Sequence, residues 1–197
     1  MSDRDSDSGP SPDLDSESPP ASPSSATPPR VLLDVMCGKL ATYLRMCGYD
    51  AAYALDRGIE DDDRLLSLSV REDRTLITRD RELASRADDA LCLRARDVLD
   101  QLRAVAAAGY PVQLAAEPAR CGVCNGPVER VGAGRADAPD PPDYVPDDVG
   151  RPVGDATAVS PDDDATDARP AWRCRDCGRW FWKGSHWEDV AARLEGI

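Results

Sequence analysis

Apolar positions along residues 30–115 follow two periods that alternate, and that alternation predicts the elements. Val31-Leu32-Leu33 is a short continuous apolar run, the pattern of a buried strand. Gly38–Cys47 follows with Leu40, Leu44 and Cys47 on one helical face, and Gly48 is placed to end that helix. Ala51–Leu55 predicts a second strand, and Asp56-Arg57-Gly58 a turn. Asp62 can then cap a helix that carries Leu65, Leu66 and Val70. Leu76-Ile77-Thr78 is a third strand, followed after Asp80 by a short helix with Leu83, Ala84 and Ala87, and by a strand at Ala90–Leu93. Asp97 caps a last helix with Val98, Leu102, Val105 and Ala106, which Gly109 can close. Strand and helix alternate four times with short connections. That predicts an α/β fold, a parallel sheet flanked by helices over residues 30–115.

The pattern stops in two places. Residues 1–29 are Ser, Pro and Asp with almost nothing apolar, so burial cannot offset the entropy of ordering them; they read as a disordered tail. Residues 132–170 are Asp, Pro, Gly and Ala, an expanded acidic insertion within a second unit at 116–189; residues 190–197 form the C-terminal end.

Charge changes the picture only once it is mapped. The net charge of −13 argues against a nucleic-acid partner, but residues 1–29 hold −5 of it and residues 132–170 hold −7. The parts expected to fold are left at −1, which removes the objection. Two Lys beside 22 Arg and 29 Asp suggest a high-salt cytosol, where an acidic surface keeps a protein soluble. No apolar run is long enough to cross a membrane and residues 1–29 lack the apolar core of a signal peptide, so a cytoplasmic protein is the expectation.

Three groups of residues carry candidate chemistry. Asp34 and Asp80 each stand at the carboxyl end of an expected strand, where open α/β sheets bind their ligands. With Asp62, and with Glu82 beside Asp80, they could converge on one or two hard cations, Mg²⁺ or Mn²⁺. Asp62 serves equally well as a plain N-cap, Asp97 reads as a cap only, and Asp61 and Asp63 read as a solvated acidic run. The second group is Cys121-Gly-Val-Cys124 with Cys174-Arg-Asp-Cys177, two C-x-x-C pairs that supply a closed, structural tetrathiolate site for Zn²⁺. Asn125-Gly126 and Gly178 follow the two pairs and tolerate the positive φ of a zinc knuckle. The 49-residue gap between the pairs is tolerable, because loop-closure entropy rises slowly with length. Cys37, Cys47 and Cys92 read as small buried apolar residues.

The third group is aromatic. Trp172, Trp180, Phe181, Trp182 and Trp187 lie among Arg173, Arg175, Arg179 and Lys183, in a stretch of net charge +3. Aromatics interleaved with cations suit single-stranded RNA, and a small zinc module also needs large side chains for its own core. Trp180 and Trp182 share one strand face and Phe181 takes the other, so some are expected at the surface. His186, the single His, is not needed as a zinc ligand and has either a structural or an RNA-facing role.

Taken together, three stretches in order resemble one family: Leu33-Asp34 through Gly38-Lys39-Leu40 to Gly48-Tyr49-Asp50, then Leu76-Ile77-Thr78-Arg79-Asp80-Arg81, then the C-x-x-C pairs ending in Trp182-Lys183-Gly184-Ser185-His186-Trp187. They resemble the Mut-seven C-terminal ribonucleases, PIN-like domains followed by a zinc ribbon. The resemblance covers residues 31–131 and 171–189. It implies a PIN-like nuclease domain at 30–115, a zinc ribbon at 116–189 and metal-dependent RNA cleavage. It places the acidic site on Asp34, Asp80 and Asp62, with Glu82 standing where related sequences often carry Asp. Lys39, Arg79, Arg179, Trp182, Lys183 and His186 are then the expected RNA contacts, while Arg45 is expected to pair with local acids. The competing expectation is a non-catalytic RNA-binding or ribosome-associated adaptor on the same scaffold.

Overall fold

A computed structural model of the 197-residue chain describes residues 29–131, 140–150 and 169–197. The first unit is built from β1 (Val31–Leu33), α1 (Gly38–Met46), β2 (Ala51–Tyr53), α2 (Asp62–Arg71), β3 (Thr75–Thr78), α3 (Arg81–Arg86), β4 (Ala90–Cys92) and α4 (Val98–Ala107). Its four strands are parallel in the order β2-β1-β3-β4, so the winding reverses between β1 and β3. Each strand is three or four residues long, and β1 and β3 are buried throughout, as interior parallel strands require. Val31, Leu33 and Ile77 face α1 and α4, and Leu32 and Leu76 face α2 and α3, because successive side chains leave a strand on opposite sides.

Two expected elements shift. The second strand stops at Tyr53, and Leu55–Arg57 forms a 3-10 turn that leaves Leu55 46 % exposed. Asp61, rather than Asp62, caps α2 by accepting from the Arg64 N–H, so Asp62 is the first helical residue. The buried face of α2 is Leu65, Leu68 and Ser69, and Val70 points outward. Gly48 and Gly109 close α1 and α4 with positive φ, as their positions suggested.

The second unit is a three-stranded antiparallel sheet, β5 (Val128–Val131), β6 (Ala171–Cys174) and β7 (Trp180–Trp182), followed by α5 (Ser185–Leu194). Residues 1–28, 132–139 and 151–168 lie outside the described residues, and with them most of the expected tail and insertion. The expanded-insertion reading does not extend to residues 140–150. Val145 and Val149 are buried against Ala171 and Trp180, the Gly150 N–H donates to the Arg169 carbonyl, and Asp148 pairs with Arg169 through two bonds of 2.7 and 2.8 Å. The C-terminal helix is also more than an appendage: Val190 and Leu194 of α5 enter the core beside Leu40, Leu44 and Leu102.

The two units are joined at the amino ends of the strands. Asp50 accepts from Arg74, whose side chain is 3 % exposed, in a pair of bonds at 2.9 and 3.1 Å, and from Arg30 at 3.1 Å. Asn125 reaches across from the first cysteine pair, donating to Asp50 at 2.6 Å and accepting from the Ala51 N–H of edge strand β2 at 2.9 Å. Arg45 is buried as well, paired with Asp56 and donating to the carbonyls of Ala51, Gly122 and Val123. Local pairing was the role expected of it.

Burial alone would raise the Asp50 carboxyl, but the bonds from Arg74 and Asn125 outweigh it and hold the group at about 2, below its ordinary 3.8. A depressed carboxyl stabilises the fold above its unfolded value, and that contribution is lost as pH falls through 3.8 toward 2. Asp50→Asn should therefore lower stability at neutral pH by about 2 kcal/mol, leaving the buried Arg74 with Glu72 as its remaining charge partner. It should also flatten the acid limb of a urea-midpoint-against-pH curve. An unchanged acid limb in the variant would show that Asp50 is not the group responsible.

Candidate functional site

Between β1 and β3 the crossover connections leave in opposite directions, which opens a crevice outside the carboxyl ends of those two strands. Asp34 follows β1 and Asp80 follows β3, so both acids stand at that reversal. They are linked through one hydroxyl. Thr78 Oγ1 donates to Asp34 Oδ2 at 2.8 Å and accepts from the Asp80 N–H at 2.9 Å. Thr78 is fully buried, so its hydroxyl has few other partners and orients both residues. The other Asp34 oxygen accepts from the Val35 N–H, capping a 3-10 turn at Val35–Cys37. Asp80 Oδ1 caps α3 by accepting from the N–H groups of Glu82 and Leu83, which leaves Oδ2 with no hydrogen bond among the described residues.

The remaining acids do not join them. Asp62 is half exposed and lies 3.7 Å from Arg86, at the far end of α3 from Asp80; Arg86 also pairs with Asp63. Glu82 is exposed, and only its backbone N–H meets Asp80. Among the described residues no three carboxylates bring donor atoms within 4.8 Å of one another. Asp97 caps α4 through the N–H groups of Leu99 and Asp100 and has no other role.

The surroundings of Asp34, itself buried, are crowded. Tyr53 donates to the Val35 carbonyl at 2.8 Å, and a Cβ on Gly38 would meet its hydroxyl at 2.9 Å, so that position has no room for a side chain. Burial, and then the Asp34 charge, push the Cys37 thiol up to about 12 against the opposing pull of Arg79. Cys37 is thus a protonated, inert neighbour. Arg79 Nε is buried with no hydrogen-bond partner among the described residues, which leaves a guanidinium near Cys37 with donor capacity to spare. Lys39, in the first turn of α1, is exposed and pairs with no described residue.

The four cysteines are the group that the structure does assemble. All four Sγ atoms lie within 4.8 Å of one another, with Cys121 and Cys177 at 3.7 Å and Cys124 and Cys174 at 3.5 Å. Tetrahedral thiolates at the Zn–S bond length would be ~3.8 Å apart. The Cys124 and Cys177 N–H groups point at Cys121 and Cys174 Sγ, the turn of a zinc knuckle. Asn125 and Gly178 carry the positive φ that these turns need, 66° and 73°. The geometry can hold structural zinc, and His186, exposed at the start of α5, is not part of it.

The aromatic residues are less exposed than their alternation suggested. Trp172 and Trp180 are buried, and Phe181, Trp182 and Trp187 are half-buried. Lys183 donates to the Ala116 carbonyl and lies over Trp172 and Trp187, at 5.8 and 6.0 Å from the ring centres. That engagement ties it to the protein's own surface rather than leaving it free for phosphate. Arg179 is exposed and pairs with no described residue.

A parallel α/β domain with acids at its switch point, followed by a four-cysteine ribbon, defines a PIN-like domain carrying a zinc ribbon. The Mut7-C RNAse domain model matches residues 29–149 and 154–194, and the chain belongs to that family. Membership implies RNA as the substrate. No curated protein and no solved structure matches the chain significantly. No helix among the described residues is long and apolar enough to cross a membrane.

Because Asn125 ties the first knuckle to Asp50 and Ala51, loss of metal should be felt beyond the ribbon. Elemental analysis should find one zinc per chain. Cys174→Ser should release it and lower the melting temperature of the whole chain, not only of the ribbon. Full zinc retention in that variant would show that the ligand set is wrong.

Proposed function

We propose that the protein is a metal-dependent endoribonuclease acting at Asp34 and Asp80. The observation that supports this best is the Thr78 hydroxyl bonded to Asp34 and to the Asp80 backbone at the sheet's switch point. The donor set suits a hard cation: it offers carboxylate oxygen, and the adjacent Cys37 thiol stays protonated. Mg²⁺ or Mn²⁺ held there would supply an activated water and neutralise charge on the phosphate. Thr78 fixes the Asp34 carboxylate, and the cap of α3 fixes that of Asp80 while Oδ2 remains available. Arg79 and Lys39 offer unpaired N–H groups to phosphate oxygens on the same side of the sheet. Asp62, and Glu82 with its longer reach, would contribute through water at most, since neither approaches the pair directly. The ribbon would help hold the RNA.

The second reading, a non-catalytic RNA-binding or ribosome-associated adaptor, is favoured by one observation, that no third carboxylate joins Asp34 and Asp80. Titration with Mn²⁺ separates the two, because an adaptor would not bind it at the acidic end.

Asp80→Asn keeps shape and the helix cap but removes the charge. Cleavage of total RNA in Mn²⁺ should collapse while the fold and RNA binding persist; cleavage at the wild-type rate would remove Asp80 from the mechanism. Thr78→Val keeps the packing volume and deletes the bridging hydroxyl, and should cost about 10–100-fold in activity or metal affinity, as loss of a group that orients a metal ligand does. Asp97→Asn should cleave normally, its carboxylate being confined to a helix start.

A further inference from the structure

A cavity of about 520 Å³ lies where the nuclease domain meets the ribbon. One wall is Thr42 and Met46 of α1, a second is Gly122 and Val123 of the first knuckle, and the third is aromatic, with Phe181, Trp182 and Trp187 all half-buried. The volume is that of a small-ligand pocket. Its charge sets it apart. The chain carries 37 acids against 24 Lys and Arg, yet no acidic residue lines this cavity, while Arg120, Arg179 and His186 do. Three other cavities of the molecule are each lined by at least one Asp.

A second observation connects the cavity to the acidic site. Lys39, Thr42 and Met46 follow one another at spacings of three and four along α1, so they share a face. That face runs from the turn beside Asp34, past the unpartnered Lys39, into the cavity. Thr42 stands about 6 Å along the helix axis from Gly38, closer than one nucleotide step of an extended strand would need.

We propose that this cavity receives an unpaired nucleobase of single-stranded RNA, stacked on the aromatic wall, with Arg179 on the flanking phosphate. The backbone would continue along the Lys39 face of α1 toward Asp34 and Asp80. Aromatic faces accept any base, whereas a duplex keeps its bases stacked and cannot insert one. The site therefore gives the enzyme a preference for single strands, set along α1 from the turn that follows Asp34. The inference rests on the reading of RNA as substrate but not on cleavage.

Binding is measured by fluorescence anisotropy, in zinc-loaded full-length protein without added Mg²⁺ or Mn²⁺. The probes are a short labelled single-stranded RNA, its duplex, and a same-length strand with abasic positions. The intact single strand should bind most tightly. Phe181→Leu keeps an apolar side chain and removes the π face; it should weaken the intact strand about tenfold and leave the abasic strand unchanged. Arg179→Ala should weaken both strands and lower the salt slope by about 0.7. Equal affinity of intact and abasic strands, or an indifferent Phe181→Leu, would overturn the proposal. Should Phe181→Leu lose its zinc or its melting transition, photocrosslinking of 4-thiouridine RNA to the unaltered protein decides instead. Adducts on residues 180–187 support the cavity, and adducts confined elsewhere overturn it. The two readings fail separately: a chain that never cleaves but shows the Phe181 effect loses the nuclease reading and keeps the cavity.

Discussion

Asp50 is the residue on which the two halves of this protein depend. A carboxylate only 15 % exposed gathers Arg74, Arg30 and the Asn125 amide, with Arg120 at 3.7 Å, and so joins the starts of β1, β2 and β3 to the first zinc knuckle. Removing such a group from water is costly, and the cost is met only because every approach to it carries a donor. The knuckle is therefore part of the α/β domain's hydrogen bonding. Asn125 covers the edge of β2, a strand that would otherwise present an open N–H to water or to another chain.

That clamp lies at the amino ends of the strands, and the acids at the carboxyl ends. The separation lets the structural charges be neutralised tightly without drawing on Asp34 and Asp80. Asp50 is surrounded by cations, whereas Asp34 and Asp80 are held by neutral donors, a threonine hydroxyl and backbone N–H groups. Neutral donors fix direction while leaving negative charge for a cation to find. Arg79 remains near Cys37 with its Nε unpartnered, the kind of buried donor that a phosphate oxygen would satisfy.

The ribbon has little apolar volume of its own, and its stability is shared out. Four thiols close one end, Trp172 and Trp180 fill the centre, and residues 140–150 pack Val145 and Val149 against Ala171 and Trp180. The helix that follows returns to the α/β core through Val190 and Leu194. A small module anchored on both sides in this way keeps its aromatic wall rigid, and rigidity is what a stacking surface requires.

The sequence by itself determined the elements of the first unit and their order, because each is written in local terms. Apolar runs three or four residues long, helical spacing of Leu40 and Leu44, a cap at Asp97, and positive-φ residues after each cysteine pair are all short-range signals. The cysteine set was legible for the same reason, since two C-x-x-C pairs define a metal site wherever the chain between them goes. What only the tertiary structure decided is which residues meet. Asp62 looked like a third ligand but lies beside Arg86: the cap falls to Asp61, α2 begins one residue earlier than expected, and the Asp62 carboxylate faces the far end of α3. Thr78 looked like an ordinary strand residue, yet the switch between β1 and β3 sets its hydroxyl between the two acids. The roles of Asp50 and Asn125 were hidden, because they are 75 residues apart and no local pattern announces a pair at that separation. Val145 and Val149 lay in a stretch whose composition reads as linker, and two buried apolar side chains are too few to alter that reading until the fold supplies a surface for them.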